Sequence, residues 1–267
     1  MLPETLFTHA VAILETALPA EKQRLSAAVA AQWHAGTLPR GDVVPVPDRP
    51  ARPVKPELRL PRDMPRRRAA GGAKSFALLH AIAHIELNAI DLAWDLIARF
   101  GASLPDRALD DWVTVAAEEA LHFALLCGRM ADLGGSYGDL PAHDGLWQAA
   151  SATAGDLTAR LAVVPLVLEA RGLDVTPGMI ADFRRHGDPE SAQILERIYR
   201  DEIGHVAAGM RWFKWACIAQ QLDPGATWRA CIGQYYRGSL KAPFNTAGRD
   251  AAGFPATYYE PLQGALS

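Results

Sequence analysis

The chain has 267 residues, of which 49% are hydrophobic, 21% charged and 8% aromatic, with a formal charge of -3 at pH 7. Such a composition belongs to a folded globular protein and excludes global disorder, and the charge gives no general case for a nucleic-acid-binding surface. The three cysteines, Cys127, Cys217 and Cys231, form no Cys-x-x-Cys pair, which argues against a disulfide framework or a thiolate zinc site and fits a reducing, cytoplasmic setting.

The opening MLPETLFTHA has an early acid and no basic start, so no secretory leader is expected. Residues 1–36 read as a helical segment that packs on the main body, its second piece opened by Pro19, where a missing N–H costs little. Residues 37–74 are proline-rich, TLPRGDVVPVPDRPARPVKPELRLPRDMP and then RRR, and are expected to run extended over a surface. Arg62, Arg66, Arg67 and Arg68 in this stretch have the charge to grip phosphates, but Asp63 interrupts them and no aromatic motif accompanies them; a solvated linker is the commoner origin of such a run.

The main body is expected over 75–222. A helix over 75–100, with Ser75 as its N-cap, is apolar but carries His80, His84, Glu86, Asp91 and Asp95, too many polar groups for a membrane span. A second helix runs over 106–133 and stops at Gly134-Gly135. A third covers 146–172, bent at Pro165. Thr176-Pro177 reads as a cap and first position of a short helix to Arg185, and Asp188-Pro189 opens a helix to about Gln221. Residues 223–267 add one more helix and a Gly/Pro-punctuated tail to the same domain. No segment alternates as a strand does, so the fold class is all-α.

Two Glu-x-x-His motifs carry the chemistry: Glu119 with His122, and Glu202 with His205. At i, i+3 on a helix both side chains share a face. The first pair lies in the apolar stripe of Val115, Ala116, Phe123, Leu126 and Met130; the second lies in that of Leu195, Ile198, Val206 and Phe213. Glu86 and Glu169 sit singly on two further apolar stripes. Each precedes the glutamate of a Glu-x-x-His motif by the same interval, 86 to 119 and 169 to 202. Two helical hairpins of equal length would bring six ligands to one depth in a four-helix bundle, the ligand set of a ferritin-like di-iron or di-manganese site. Four buried carboxylates without a cation would be costly. Glu118 and Asp201, just before the motifs, are candidates to hold the ligand histidines by their second ring nitrogens. His80 and His84 lie off the spacing of Glu86 and read as hydrogen-bonded helix histidines. Tyr199 falls one turn before Glu202, either as a hydroxyl near the metals or as packing. Trp94, Trp112, Trp212 and Trp215 read as core.

The segment LEARGLDVTPGM, followed by ILERIYRDEIGHVAAGMRWF, together with HAIAHIELNAIDLAWD and KAPFNTAGR, resembles the ferritin-like di-iron carboxylate superfamily. Within it, the likeness is to an uncharacterised bacterial ferritin-like family related to the di-iron monooxygenases that hydroxylate a modified base in tRNA, and it covers about residues 50–250. The resemblance implies a ferritin-like four-helix bundle with Glu86, Glu119, His122, Glu169, Glu202 and His205 as ligands of two iron ions, manganese being the alternative. It also implies oxygen activation, with Asp201 supporting a ligand histidine. Helix 3 departs from the pattern, with Pro165 before Glu169 and Gly172 after it.

The expected function is therefore an O2-dependent oxidase or hydroxylase acting on a small molecule or a modified nucleoside. Transfer RNA enters through the relatives and not through the arginine run. No motif identifies the electron donor, and no membrane partner is expected. A ferroxidase or metal-storage protein is a second reading, opposed by the long flanks, which the short subunits of storage cages lack. A helical interaction protein with a structural metal site is a third. The proline-rich segment and the tail are expected to cover the open side of the bundle.

Overall fold

The computed structural model describes residues 4–60, 63–64 and 72–262. Among them there are helices and no strand, with one isolated bridge between Leu58 and Ala142. The expected all-α class is thus observed. The arginine run at 62 and 66–68 lies outside the described residues. The chain forms two compact units, Met1–Trp147 and Gln148–Ser267.

The first unit is built on α3(Gly72–Phe100) and α4(Asp106–Asp132), which pack along their length; α1(Leu6–Glu15) lies against α3, and α2(Pro19–His34) against α4. Thr5 starts α1 with a capping box, its hydroxyl accepting from the Thr8 amide while the Thr8 hydroxyl accepts from the Thr5 amide. α3 starts before Ser75, which is therefore inside the helix and not its cap. By length and composition the stretch Lys74–Ser103 could cross a membrane, yet most of it is buried inside the unit. It is a core helix. At its end, a Cβ on Gly101 would sit 2.5 Å from the Phe7 ring, so only glycine lets α1 close on this turn.

The proline-rich segment does not lie over the Glu86 face of α3. His84, Asn88, Asp91 and Asp95 follow one another at helical spacing, and Glu86 is roughly half a turn round from them. The segment is bound to this opposite stripe. Arg52 pairs with Asp91 at 2.7 Å and donates to the Asn88 amide oxygen at 2.6 Å, and Arg99 donates to the Pro47 carbonyl. Lys22 of α2, almost fully buried, completes the ion cluster on Asp91. Further along, the Arg59 amide donates to the Ala142 carbonyl and the Ala142 amide to the Glu57 carbonyl. The described part of the segment is thus a strap held by buried charge on the stripe of α3 opposite Glu86.

In the second unit, α6(Leu157–Val163), a π-helical turn Val164–Glu169 and α7(Ala170–Arg185) pack against α8(Pro189–Ala219); α9(Pro224–Tyr235), α10(Thr246–Ala251) and α11(Ala256–Tyr259) follow. The division between units falls within α5(Gly145–Ala152). Asp156, Asp188, Asp223 and Asn245 cap their helices, each accepting from an amide three residues on. The single helix expected over 146–172 is instead four pieces: α5, α6, the π turn and the start of α7. Pro165 has no N–H to continue the α-helical ladder, and the chain widens into a π turn at that point. α8 meets this turn at Gly209, where a Cβ would lie 2.3 Å from the Pro165 ring.

Pro177 does not begin a helix: α7 runs through it. The Leu173 carbonyl, which a residue with an N–H at 177 would engage, accepts instead from the Asn245 side chain at 3.0 Å. The tail is not coil either. Arg249, buried, donates twice to Asp174 at 2.8 Å and is surrounded by the rings of Phe244, Phe254 and Tyr259. Trp94, Trp112 and Trp212 are core, as expected, but Trp215 is exposed, as is Ile218 one turn on in α8.

Candidate metal centre

In the first unit, α3 contributes Glu86 and α4 contributes Glu119 and His122; all three are buried, and their ligand atoms lie within 4.8 Å of one another. The apolar stripes explain the placement: burying Leu79, Ile82, Ala83 and Ile90 of α3 with Val115, Ala116, Phe123 and Leu126 of α4 carries the three polar groups inward with them. His122 Nδ1 is 3.2 Å from Glu86 Oε2 and 3.5 Å from Glu119 Oε2.

The electrostatics are those of a cation site. Burial, then the Glu119 charge, pushes the Glu86 carboxyl well above the usual carboxylate range. Burial pulls the His122 imidazole down, but hydrogen bonds to Glu119 and Glu86 outweigh it and hold its pKa at about 11. Two carboxylates this close hold a positive charge between them strongly. Buried oxygen and imidazole donors suit a divalent metal, which meets the same field with twice the charge of a proton. The group is a buried Glu/His cluster able to hold a metal ion.

In the second unit, α8 contributes Glu202 and His205, both buried, with His205 Nδ1 at 3.6 Å from Glu202 Oε2. Both Glu-x-x-His pairs thus have the same internal arrangement, with Nδ1 turned to the carboxylate. Glu169 closes the π turn and is half-buried. A π turn lets a helix re-aim one side chain, and such turns concentrate at functional sites.

The remaining expected residues are placed as follows. Asp201 accepts from Arg197 Nε at 2.5 Å on α8, and Glu118 is half-buried on α4. The Tyr199 hydroxyl accepts from the Asn245 side chain at 2.9 Å, so it is engaged in holding the tail. His80 and His84 are hydrogen-bonded helix histidines as expected: His80 Nε2 accepts from the Gly138 amide, and His84 bonds the Tyr137 hydroxyl and the His143 carbonyl. Sequence reasoning missed the Lys22–Asp91–Arg52 cluster and the Arg249–Asp174 pair. Both join residues far apart in the chain, and the only local signal was an acid within an apolar pattern at Asp91.

Residues 15–260 match the family described as "Protein of unknown function (DUF455)". The chain is 41% identical over 219 residues to an uncharacterized protein of Haemophilus influenzae, covering 80% of this chain and 76% of that one. No solved structure matches it. The chain belongs to the DUF455 family.

Proposed function

With that membership as premise, we propose that this protein is a cytoplasmic non-haem di-iron oxidoreductase that uses O2 to oxidise or hydroxylate a small molecule or a modified nucleoside. The six residues of the sequence pattern, Glu86, Glu119, His122, Glu169, Glu202 and His205, would hold the metal. The observation that carries this reading is the repetition of a buried Glu-x-x-His pair with its imidazole Nδ1 turned to its own carboxylate, in two units whose lone glutamates sit at the same interval upstream. The donor set of carboxylates and imidazoles suits iron, with manganese the alternative.

When bound, a pair of ferrous ions supplies the two electrons that dioxygen reduction begins with. The protein's own part is to fix the donors and keep water from them. Glu86 and Glu119 are placed to share a cation. Each ligand histidine would present one ring nitrogen to the metal, its other nitrogen free for a supporting carboxylate. Asp201 and Glu118 are proposed to steady the ligand histidines.

The test is anaerobic loading with ferrous ion followed by oxygen, read by metal content and by the absorption spectrum. Two irons per chain and an oxygen-dependent absorption change, both lost in Glu119→Ala, support the reading. Metal bound tightly without any response to oxygen would reduce it to a structural metal site, and elution as a large shell that accumulates iron would make it a storage protein.

A further inference from the structure

The second unit holds a cleft of about 200 Å³ that the proposed metal chemistry does not use. Three cationic side chains line it: Arg171 of α7, Lys241 of the tail and Arg249 of α10. The only acid on its wall is Asp174, and that carboxylate is already engaged, accepting both Arg249 bonds and the Asn245 amide at 3.0 Å. The cleft is therefore left with two positive charges in excess of its one negative charge.

The three cations differ in availability. Arg249 is buried and fixed by Asp174 and three aromatic rings, so it forms a rigid positive floor. Arg171 donates one Nη1 bond to the Lys241 carbonyl at 2.7 Å and lies 3.5 Å from Asp174. Its Nε and Nη2 meet no acceptor among the described residues, which leaves one edge of the guanidinium free to grip two oxygens at once. The Lys241 ammonium has no carboxylate partner among the described residues. Tyr236 and Ser239, which carry neutral hydroxyls, also line the cleft. Tyr236 is held in place by lying across Gly238, where a Cβ would be 2.7 Å from its ring. Val167 and Phe244 give the cleft an apolar side.

We infer that this cleft is a binding site for a small organic molecule that carries an oxyanion, a phosphate or a carboxylate, with Arg171 and Lys241 holding the charged group and the Val167–Phe244 side taking the organic part. A volume near 200 Å³ admits a ring or short chain with its charged group and excludes a nucleic-acid strand. The inference rests on one unit and needs no metal, so it stands or fails separately from the oxidoreductase reading.

The test is calorimetric titration of the full-length, metal-free protein at low ionic strength with phenyl phosphate and, separately, benzoate. Saturable one-to-one binding is expected for at least one of them, and the tighter probe tells phosphate from carboxylate. Arg171→Gln and Lys241→Gln, both exposed enough to leave folding intact, each weaken binding by about tenfold, as loss of a charged hydrogen bond should. Tyr236→Phe weakens it less, and Arg184→Gln, on the outer surface of α7, leaves it unchanged. The inference is overturned if neither probe saturates below about 10 mM, which is weaker than any specific oxyanion site of this charge should be. It is equally overturned if the Arg171→Gln/Lys241→Gln double variant, still folded by circular dichroism, binds as the parent does.

Discussion

Single side chains on α3 separate two kinds of buried polarity. Glu86 lies in a Glu/His cluster that could hold a metal ion, whereas Asp91 already has cationic partners. Lys22 and Arg52 both reach Asp91, whose carboxylate is completely buried. Removing one charge from such a cluster is worse than never having had it, because the survivors stay buried without compensation. Asp91→Asn should lower the unfolding free energy by about 3 kcal/mol or more in urea titration. Replacing the pair together, Asp91→Leu with Lys22→Met, should recover much of that, since Arg52 keeps Asn88 and Asp144 as partners; a double variant as unstable as the single one would show that packing and not charge holds the strap.

His80 offers a pH test. Its Nε2 accepts from the Gly138 amide at 3.0 Å and, more distantly, from the Leu140 amide, so the folded state requires that nitrogen unprotonated. Burial pulls the His80 imidazole below its ordinary value of 6.5, against a smaller opposing pull from Asp139. The unfolded chain therefore binds this proton more readily than the folded one. The contribution to stability is complete above 6.5 and is lost as pH falls below it. The urea midpoint should fall from pH 7.5 to pH 5, and His80→Gln, which can still accept but cannot titrate there, should flatten that fall. An identical slope in the variant would assign the effect to other groups.

At the scale of elements, the regular helices were legible and the irregular ones were not. α1, α2, α4, α8 and α9 follow from apolar periodicity bounded by Pro19, Asp188-Pro189 and Asp223-Pro224, where local chemistry and packing agree. The three metal-type ligands of the first unit were legible for the same reason, since a carboxylate on an apolar stripe must go where the stripe goes. What failed was every position where a distant residue decides. Thr176-Pro177 looked like a cap and first helical position; the helix instead runs through Pro177, and Asn245, far along the chain, serves the Leu173 carbonyl. Helix 3 looked continuous because a proline bend and a π turn have the same sequence signature. The strap's side could not be read at all, because Arg52 meets Asp91 only after folding.

The π turn makes the sharpest prediction at this scale. Gly209 lets α8 touch the Pro165 ring, and no side chain fits there. Gly209→Ala should destabilise the protein by about 1–3 kcal/mol through overpacking, and Pro165→Ala should restore part of the loss when the two are combined. Additive losses in the thermal melts would mean that the two residues do not meet.

For the whole molecule, the decisive quantity is the number of metal ions that each variant retains. Glu119→Ala removes a ligand from one unit and Glu202→Ala from the other. If the six residues make one centre in which the two ions depend on one another, either substitution should abolish both ions. If instead each Glu-x-x-His pair binds its own ion, each variant should keep one. Thermal shifts give a second readout: binding to the folded state alone raises stability with free metal concentration. Ferrous or manganous ion should therefore raise the melting temperature of the parent but of neither variant if the centre is one. A shift retained at about half its size in both variants, with one ion bound in each, would establish two separate sites and would remove the pairing of metals on which two-electron oxygen chemistry depends.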